Sequence, residues 1–336
     1  MVAHLLWEQE VGGSSPPSPT MAATVDAHLR KRPTARARHW VGSVLGGEVV
    51  TTRRLKGGLS TNTRAVTVAR PDGTTRQAVL RTFVAPGWIT VEPDLAAREA
   101  ALLEVLEGAG VPAPRLLGLD ADGQASGSIS LLMTLEQGRP VNDPADRRPW
   151  IGGLVEALGL VHAVAPPPIP NLRDQAGRIE LHGTEARPLR YGMQVDEDLW
   201  AQVVRHWPSV RRSAPTLLHD DYHPGNVLWS RGRLTSIVDW TGAGFGQPAS
   251  DVCYLRQDVS LVSGLEAGDE VLAAYEAASG GPVPDRPFWD LLAATRAKGA
   301  EEWWWGSYVD FGLPVTLPQV RTRLQQLIAR AIAELG

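Results

Sequence analysis

Leu218-His219-Asp220-Asp221-Tyr222-His223-Pro224-Gly225-Asn226 is a polar run set between two short apolar segments, Leu217-Leu218 before it and Val227-Leu228-Trp229 after it. Short apolar runs bounded by turn formers read as strands. The stretch therefore predicts a strand, a loop crowded with His, Asp and Asn, and a second strand. Asp221 and Asn226 stand five positions apart, and Asp239 ends the next apolar run thirteen positions after Asn226, directly before Trp240. One carboxylate can accept a hydroxyl proton, while a carboxamide and a second carboxylate offer the hard oxygens that magnesium prefers.

Asp221 and Asn226 have the spacing of a kinase catalytic loop, and Asp239 falls where a kinase places its metal-binding Asp. The segment resembles the catalytic loop of the aminoglycoside phosphotransferase-like family, the small-molecule branch of the protein-kinase fold. That family reads roughly His-Gly-Asp with an Asn five residues after the Asp, then Ile-Asp-Trp about a dozen residues on. Here Asp220 stands where the family has Gly, and the spacing to Asn226 makes Asp221 the base. The resemblance runs over roughly residues 45 to 335 and is strongest at 217–255. It implies a bilobal α+β fold, with an antiparallel-sheet N-lobe and a mainly helical C-lobe. It further implies that His219 holds the loop backbone, that His223 is structural, and that Asp251 braces the catalytic loop.

The 336 residues suit two lobes rather than one small core. The formal charge of −4 gives no case for nucleic acid or an anionic membrane surface. The lysines are Lys31, Lys56 and Lys298, so positive charge is almost all Arg. The single cysteine, Cys253, fits a reducing cytoplasm. No apolar run reaches the length of a membrane span. Gly12-Gly13-Ser14-Ser15-Pro16-Pro17-Ser18-Pro19 can neither form a helix nor bury a face. Residues 1–20 are therefore expected to be disordered or spurious, with Met21 rather than Met1 as the true start.

The N-lobe is expected over 21–136 and the C-lobe over 137–336. A short helix is predicted over 22–40. A Gly/Ser/Thr turn from Leu55 to Thr63 precedes a strand at 65–69, and Pro71-Asp72-Gly73 signals a hairpin into a strand at 78–82. Asp94 opens a helix with Leu95, Glu99, Leu102, Leu103 and Leu106 on one stripe, ended by Gly108 and Gly110. A buried strand follows from Ile129 to Leu135. Beyond Gly138 helices are predicted from Trp150 to Val161 and near 195–211, 249–262, 268–279, 285–310 and 317–334.

Gly57, Gly58, Ser60 and Thr61 form the candidate phosphate loop, since glycines let backbone N–H groups approach phosphate oxygens. Such a lobe needs a strand cation for the phosphates, usually Lys. No Lys lies between Lys56 and Lys298, so Arg81 takes that place with Glu99 as its ion-pair partner. Met133 and Leu135 are expected to line the adenine slot, which does not discriminate ATP from GTP. Glu302, Trp304 and Asp310 are candidate substrate contacts, because aromatic faces beside carboxylates suit a cationic or sugar-like ligand. A plain cap for Asp251 and helix packing for the three adjacent Trp remain the alternative readings.

The expectation is a magnesium- and ATP-dependent phosphotransferase acting on a hydroxyl of a small molecule, such as an aminoglycoside, macrolide, sugar or amino alcohol. The protein-kinase signatures His-Arg-Asp, Asp-Phe-Gly and Ala-Pro-Glu are missing. A non-catalytic nucleotide-binding module is the alternative, supported by Arg81 and Asp220. Neither the acceptor nor the oligomeric state is legible.

Overall fold

Residues 29–55, 61–84, 92–182 and 196–336 are described by a computed structural model. The proposed start at Met21 and the loop residues Gly57, Gly58 and Ser60 lie outside the described residues. By internal packing the chain divides into two units. One holds the described residues of Met1–Ala109 with Ala113–Glu136 and Ile169–Asn171, and the other holds Gly110–Pro112, Gln137–Pro168 and Leu172–Gly336. Together they make an α+β protein, with an antiparallel sheet in the first unit and mostly helices in the second.

Among the described residues the first unit begins with the helical residues Leu29 and Arg30, and α1 (Ala35–Leu45) follows. The helix expected over 22–40 is interrupted at 31–34, because Pro33 disfavours helix at Arg32, and it resumes where the Thr34 side chain caps the amide of Ala37. Three strands follow, β1 (Glu48–Arg54), β2 (Thr61–Ala69) and β3 (Thr75–Phe83), then α2 (Leu95–Ala109), β4 (Leu116–Asp120) and β5 (Ser130–Thr134). The strands pair in the order β1-β2-β3-β5-β4, antiparallel throughout. Thr61 and Asn62 belong to β2 rather than to the loop before it. Strand β4 has no counterpart among the elements expected from the sequence.

Side chains alternate across a strand. Val66 and Val68 of β2, Ala78 and Leu80 of β3 and Leu132 of β5 pack with Val41 and Leu45 of α1. Arg81, one residue on from Leu80, therefore points to the other face. All five of Leu95, Glu99, Leu102, Leu103 and Leu106 on α2 are buried, as their shared stripe predicts.

Gly47 follows the left-handed cap Gly46 and runs against β2, where an added Cβ would lie 2.1 Å from the carbonyl oxygen of Ala69. Neither backbone can yield cheaply. Gly47→Ala is expected to cost about 1–3 kcal/mol, read as a lowered urea midpoint at unchanged slope.

The second unit contains β6 (Arg139–Pro140), α3 (Arg147–His162), β7 (Arg173–Asp174), α4 (Gln175–His182), α5 (Glu197–His206), β8 (Thr216–Leu218), β9 (Val227–Ser230), β10 (Arg233–Ile237) and β11 (Gly244–Gly246). Helices α6 (Ala249–Ser263), α7 (Leu265–Ser279), α8 (Arg286–Ala297), α9 (Glu301–Asp310) and α10 (Leu317–Leu335) complete it. The single helix expected over 285–310 is two, because Gly299 adopts a left-handed backbone with φ +84°. Every residue of α6 from Ala249 to Val262 is buried, the mark of a central helix, and it packs against α7, α8 and α10.

Charges on α6 are neutralised in place. Arg256 meets Asp290 at 2.8 Å with both side chains at most 5% exposed, and Arg286 meets the same carboxylate at 2.7 Å. Cys253 is buried in that neighbourhood. Burial first, and then the Asp290 charge, push its thiol well above the ordinary range. Among the described residues, no helix is long and apolar enough to cross a membrane.

Candidate active site

Strand β8 ends at Leu218, and the polar loop turns back into β9 through a short 3-10 turn at Pro224–Asn226. Its backbone is held largely by one side chain. Asp251, in the first turn of α6, accepts from the amide of His219 at 2.8 Å and from that of Asp220 at 2.9 Å. His219 is fully buried, and its Nε2 lies 3.0 Å from the Val238 carbonyl oxygen. A carbonyl only accepts, so that contact assigns the proton to Nε2. The ring packs 4.5 Å from that of Trp240. His223 Nδ1 accepts from the Gly225 amide at 3.2 Å and so caps the 3-10 turn.

Asp220 has φ +57°, the left-handed region that favours glycine and that Asp tolerates better than most residues. The departure from Gly at this position thus keeps the backbone conformation and adds a carboxylate. Arg296 of α8 takes that carboxylate as an ion pair and donates to the Asp220 carbonyl at 2.7 Å. Asp220 is held at its amide, its carbonyl and its side chain.

The Asn226 amide nitrogen donates back to the Asp221 carbonyl oxygen at 3.0 Å and lies 3.4 Å from Asp221 Oδ2. Tyr254 of α6 donates its hydroxyl to Asp221 Oδ1 at 2.7 Å. Asn226 also accepts, through its backbone oxygen, the amide of Val238 at 2.8 Å. That bond brings Asp239 beside Asn226. Asp239 has φ +66°, and its carboxylate accepts from the Thr241 hydroxyl at 2.9 Å.

The donor set fits magnesium. Asn226 spends its amide nitrogen on the Asp221 carbonyl, which makes Oδ1 the end it can offer to a cation. With the Asp239 carboxylate this gives hard oxygens alone. Among the described residues, no group of three or more His, Cys, Asp or Glu converges as a closed metal cage. Magnesium needs none, because it typically takes one or two protein carboxylates and completes its shell with phosphate and water.

In the sheet unit, Arg81 donates to Glu99 Oε1 at 2.6 Å, and the two side chains are only 8% and 2% exposed. Met133 is buried on β5 opposite Val79. Leu135 follows the strand and is half-buried. Thr61 is buried, with its hydroxyl 3.2 Å from that of Thr63.

The three candidate substrate contacts separate. Trp304 is 8% exposed, its ring 5.8 Å from Tyr254 in an edge-on arrangement. Glu302 is exposed and pairs with Arg321 of α10 at 2.9 Å. Asp310 is exposed at the end of α9. Phe311, next in sequence and 38% exposed, comes close to the catalytic loop, since a Cβ on Gly225 would lie 3.4 Å from its ring.

Three groups around Asp221 escape a reading of the sequence alone. Tyr254 lies three residues after Asp251, so helical spacing puts both on one face of α6, and that signal is present in the sequence. Arg296 carries no local signal. Asp258, one further turn along α6, is buried and accepts from Tyr308 at 2.7 Å. Burial raises its carboxyl above the ordinary range, opposed by His223 and the Tyr308 hydrogen bond and assisted by the Asp221 charge.

A protein-family profile described as "Phosphotransferase enzyme family" matches residues 51–292. No curated protein matches significantly. Solved structures do. A thermostable mutant of aminoglycoside phosphotransferase APH(4)-Ia, in ternary complex with AMP-PNP and hygromycin B, superposes with a TM-score of 0.59 at 16% identity, covering 89% of this chain and 99% of that one. Macrolide 2'-phosphotransferase MphH from Brachybacterium faecium gives 0.52 at 18% identity, over 91% and 98%. Choline kinase LicA from Streptococcus pneumoniae gives 0.56 at 16% identity, over 88% and 97%. At such identities the likeness concerns the fold, which is protein-kinase-like.

Proposed function

The chain belongs to the phosphotransferase enzyme family, and from that premise we propose that it is a magnesium- and ATP-dependent kinase acting on a hydroxyl of a small molecule. Aminoglycoside-, macrolide-, sugar- and amino-alcohol-like compounds are the acceptor classes. One observation carries the reading: the Asp221 carboxylate is gripped by Tyr254 at 2.7 Å, while Asn226 folds back on Asp221 and is joined by a backbone bond to the residue before Asp239. A solvated loop carboxylate needs no such fixing. The nucleotide and antibiotic bound to the APH(4)-Ia relative support the same class of reaction.

The acceptor hydroxyl gives its proton to Asp221 as its oxygen bonds to the γ-phosphorus. The bond from that phosphorus to the β,γ-bridging oxygen breaks, and its electron pair leaves with ADP. Asn226 Oδ1 and Asp239 would hold magnesium, which when bound supplies neutralisation of phosphate charge. Arg81, kept in place by Glu99, is assigned to the α- and β-phosphates. Gly57, Gly58, Ser60 and Thr61 are assigned to the phosphates as well, and Met133 and Leu135 to the base, with GTP as the alternative nucleotide. His219, His223 and Asp251 hold the loop. Trp304 backs Tyr254.

The test is ADP release from magnesium–ATP across a panel of these acceptor classes. Acceptor-dependent release establishes the activity and its substrate class. Nucleotide binding without release on any member favours a non-catalytic module. Asp239→Ala is expected to weaken magnesium–ATP binding at least about tenfold while leaving metal-free ATP binding unchanged, measured by calorimetry with and without chelator. Magnesium–ATP affinity equal to that of the unsubstituted chain removes Asp239 from the metal site.

A further inference from the structure

The contacts around the base form a chain that reaches beyond the loop itself. Asp220 holds Arg296 through its carboxylate and carbonyl. The Arg296 guanidinium lies over the Tyr254 ring, 4.8 Å from its centroid, and Trp304 packs on the same tyrosine edge-on at 5.8 Å. The His223 ring approaches at 6.4 Å. Tyr254 is only 6% exposed and spends its hydroxyl on Asp221 Oδ1. A ring fixed on several sides and ending in one short hydrogen bond is more than core filling.

We infer that Tyr254, seated by the Asp220–Arg296 pair, is a positioning residue that locks Asp221 through Oδ1 and presents Oδ2 to the acceptor hydroxyl. The assignment rests on the kinase reading for its purpose, though not for its geometry. A hydroxyl donating to a carboxylate stabilises its charge and fixes its orientation. A neutral phenol can do this without adding charge to a site that must admit a polyphosphate. The cation above the ring strengthens the phenol as a donor. The Asp220 carboxylate thereby serves as the counter-charge that places Arg296.

The groups facing this pair from the packed elements are Asp220 and His223 of the loop, Asp258 of α6, Arg296 of α8 and Tyr308 of α9. Asp258 feels both His223 and Asp221, and Tyr308 feels Tyr254. Tyr254→Phe removes one hydroxyl and no charge, and its ring still fits the same seat. Tyr308→Phe removes the hydroxyl that serves Asp258 and leaves the one on Asp221, so it controls for the loss of a buried phenol.

The experiment compares crystal structures of the full chain and of its Tyr254→Phe and Tyr308→Phe variants. The Asp221 carboxylate is expected to leave its orientation in Tyr254→Phe and to keep it in Tyr308→Phe. Once an acceptor is found, Tyr254→Phe lowers kcat about tenfold to a hundredfold, with KM for ATP unchanged. An unmoved Asp221 carboxylate in Tyr254→Phe, or an equal displacement in Tyr308→Phe, overturns the assignment. A displaced carboxylate in a protein that phosphorylates no member of the panel upholds the hydrogen bond and counts against the kinase reading alone.

Discussion

Replacing Asp221 by alanine is expected to cut acceptor-dependent transfer about 10²–10⁴-fold and to leave magnesium–ATP affinity unchanged within error. The two halves of that expectation come from different contacts. The carboxylate is the proposed base, so its loss removes proton transfer. The nucleotide is assigned to Asn226, Asp239 and Arg81, none of which is altered. Asn226 keeps its 3.0 Å bond to the Asp221 main-chain oxygen, and Asp251 keeps both loop amides, so the loop retains its anchors. Steady-state kinetics beside calorimetric titration of the nucleotide separate the effects. Undiminished turnover removes Asp221 as the base. A parallel collapse of nucleotide affinity instead assigns Asp221 to holding the loop.

The second large effect falls in the sheet unit. Glu99→Ala is expected to destabilise it by about 3–5 kcal/mol. An exposed ion pair contributes about 0–1 kcal/mol, so burial decides the magnitude. Here the side chains are 8% and 2% exposed and meet at 2.6 Å. Removing the carboxylate takes the counter-charge from a buried guanidinium on a strand whose neighbours Leu80, Leu131 and Leu132 are all buried. Arg cannot escape by losing its proton. Exchange of the β3 and α2 amides with deuterated solvent reads the loss locally. The double variant Arg81→Met, Glu99→Leu should recover most of the stability, because apolar side chains of similar volume can replace a buried ion pair, while abolishing the assigned phosphate contact. A loss below about 1 kcal/mol in Glu99→Ala means the pair is hydrated in solution.

The legible and illegible parts of this chain differ in physical range. The grouping of Asp221, Asn226 and Asp239 can be read because short fixed spacings along one strand–loop–strand unit bring them together. Leu95, Glu99, Leu102, Leu103 and Leu106 can be read because helical periodicity and burial coincide on α2. Arg81 follows from elimination, there being no lysine to take its place. Strand β4 is hidden because Pro112 and Pro114 dominate the segment before it. The division between α8 and α9 is hidden because Lys298 and Ala300 are good helix formers, yet Lys298 turns extended and Gly299 follows at φ +84°. Arg296 lies 76 positions from Asp220, and no local pattern encodes that pairing. Trp304 illustrates the limit on composition arguments: three adjacent tryptophans announce an unusual surface, yet Trp304 is buried and packs on Tyr254.

The seclusion of Cys253 has a practical corollary. It is the sole thiol of the chain, it is buried, and both its desolvation and the neighbouring Asp290 disfavour the reactive thiolate. The native chain is thus expected to react slowly with maleimides and methanethiosulfonates. A single cysteine introduced on an exposed face becomes the one handle that reacts. Spin labels or fluorophores can be installed pairwise on the two units without first removing a native residue. The distances between them, with and without nucleotide, become directly measurable in solution.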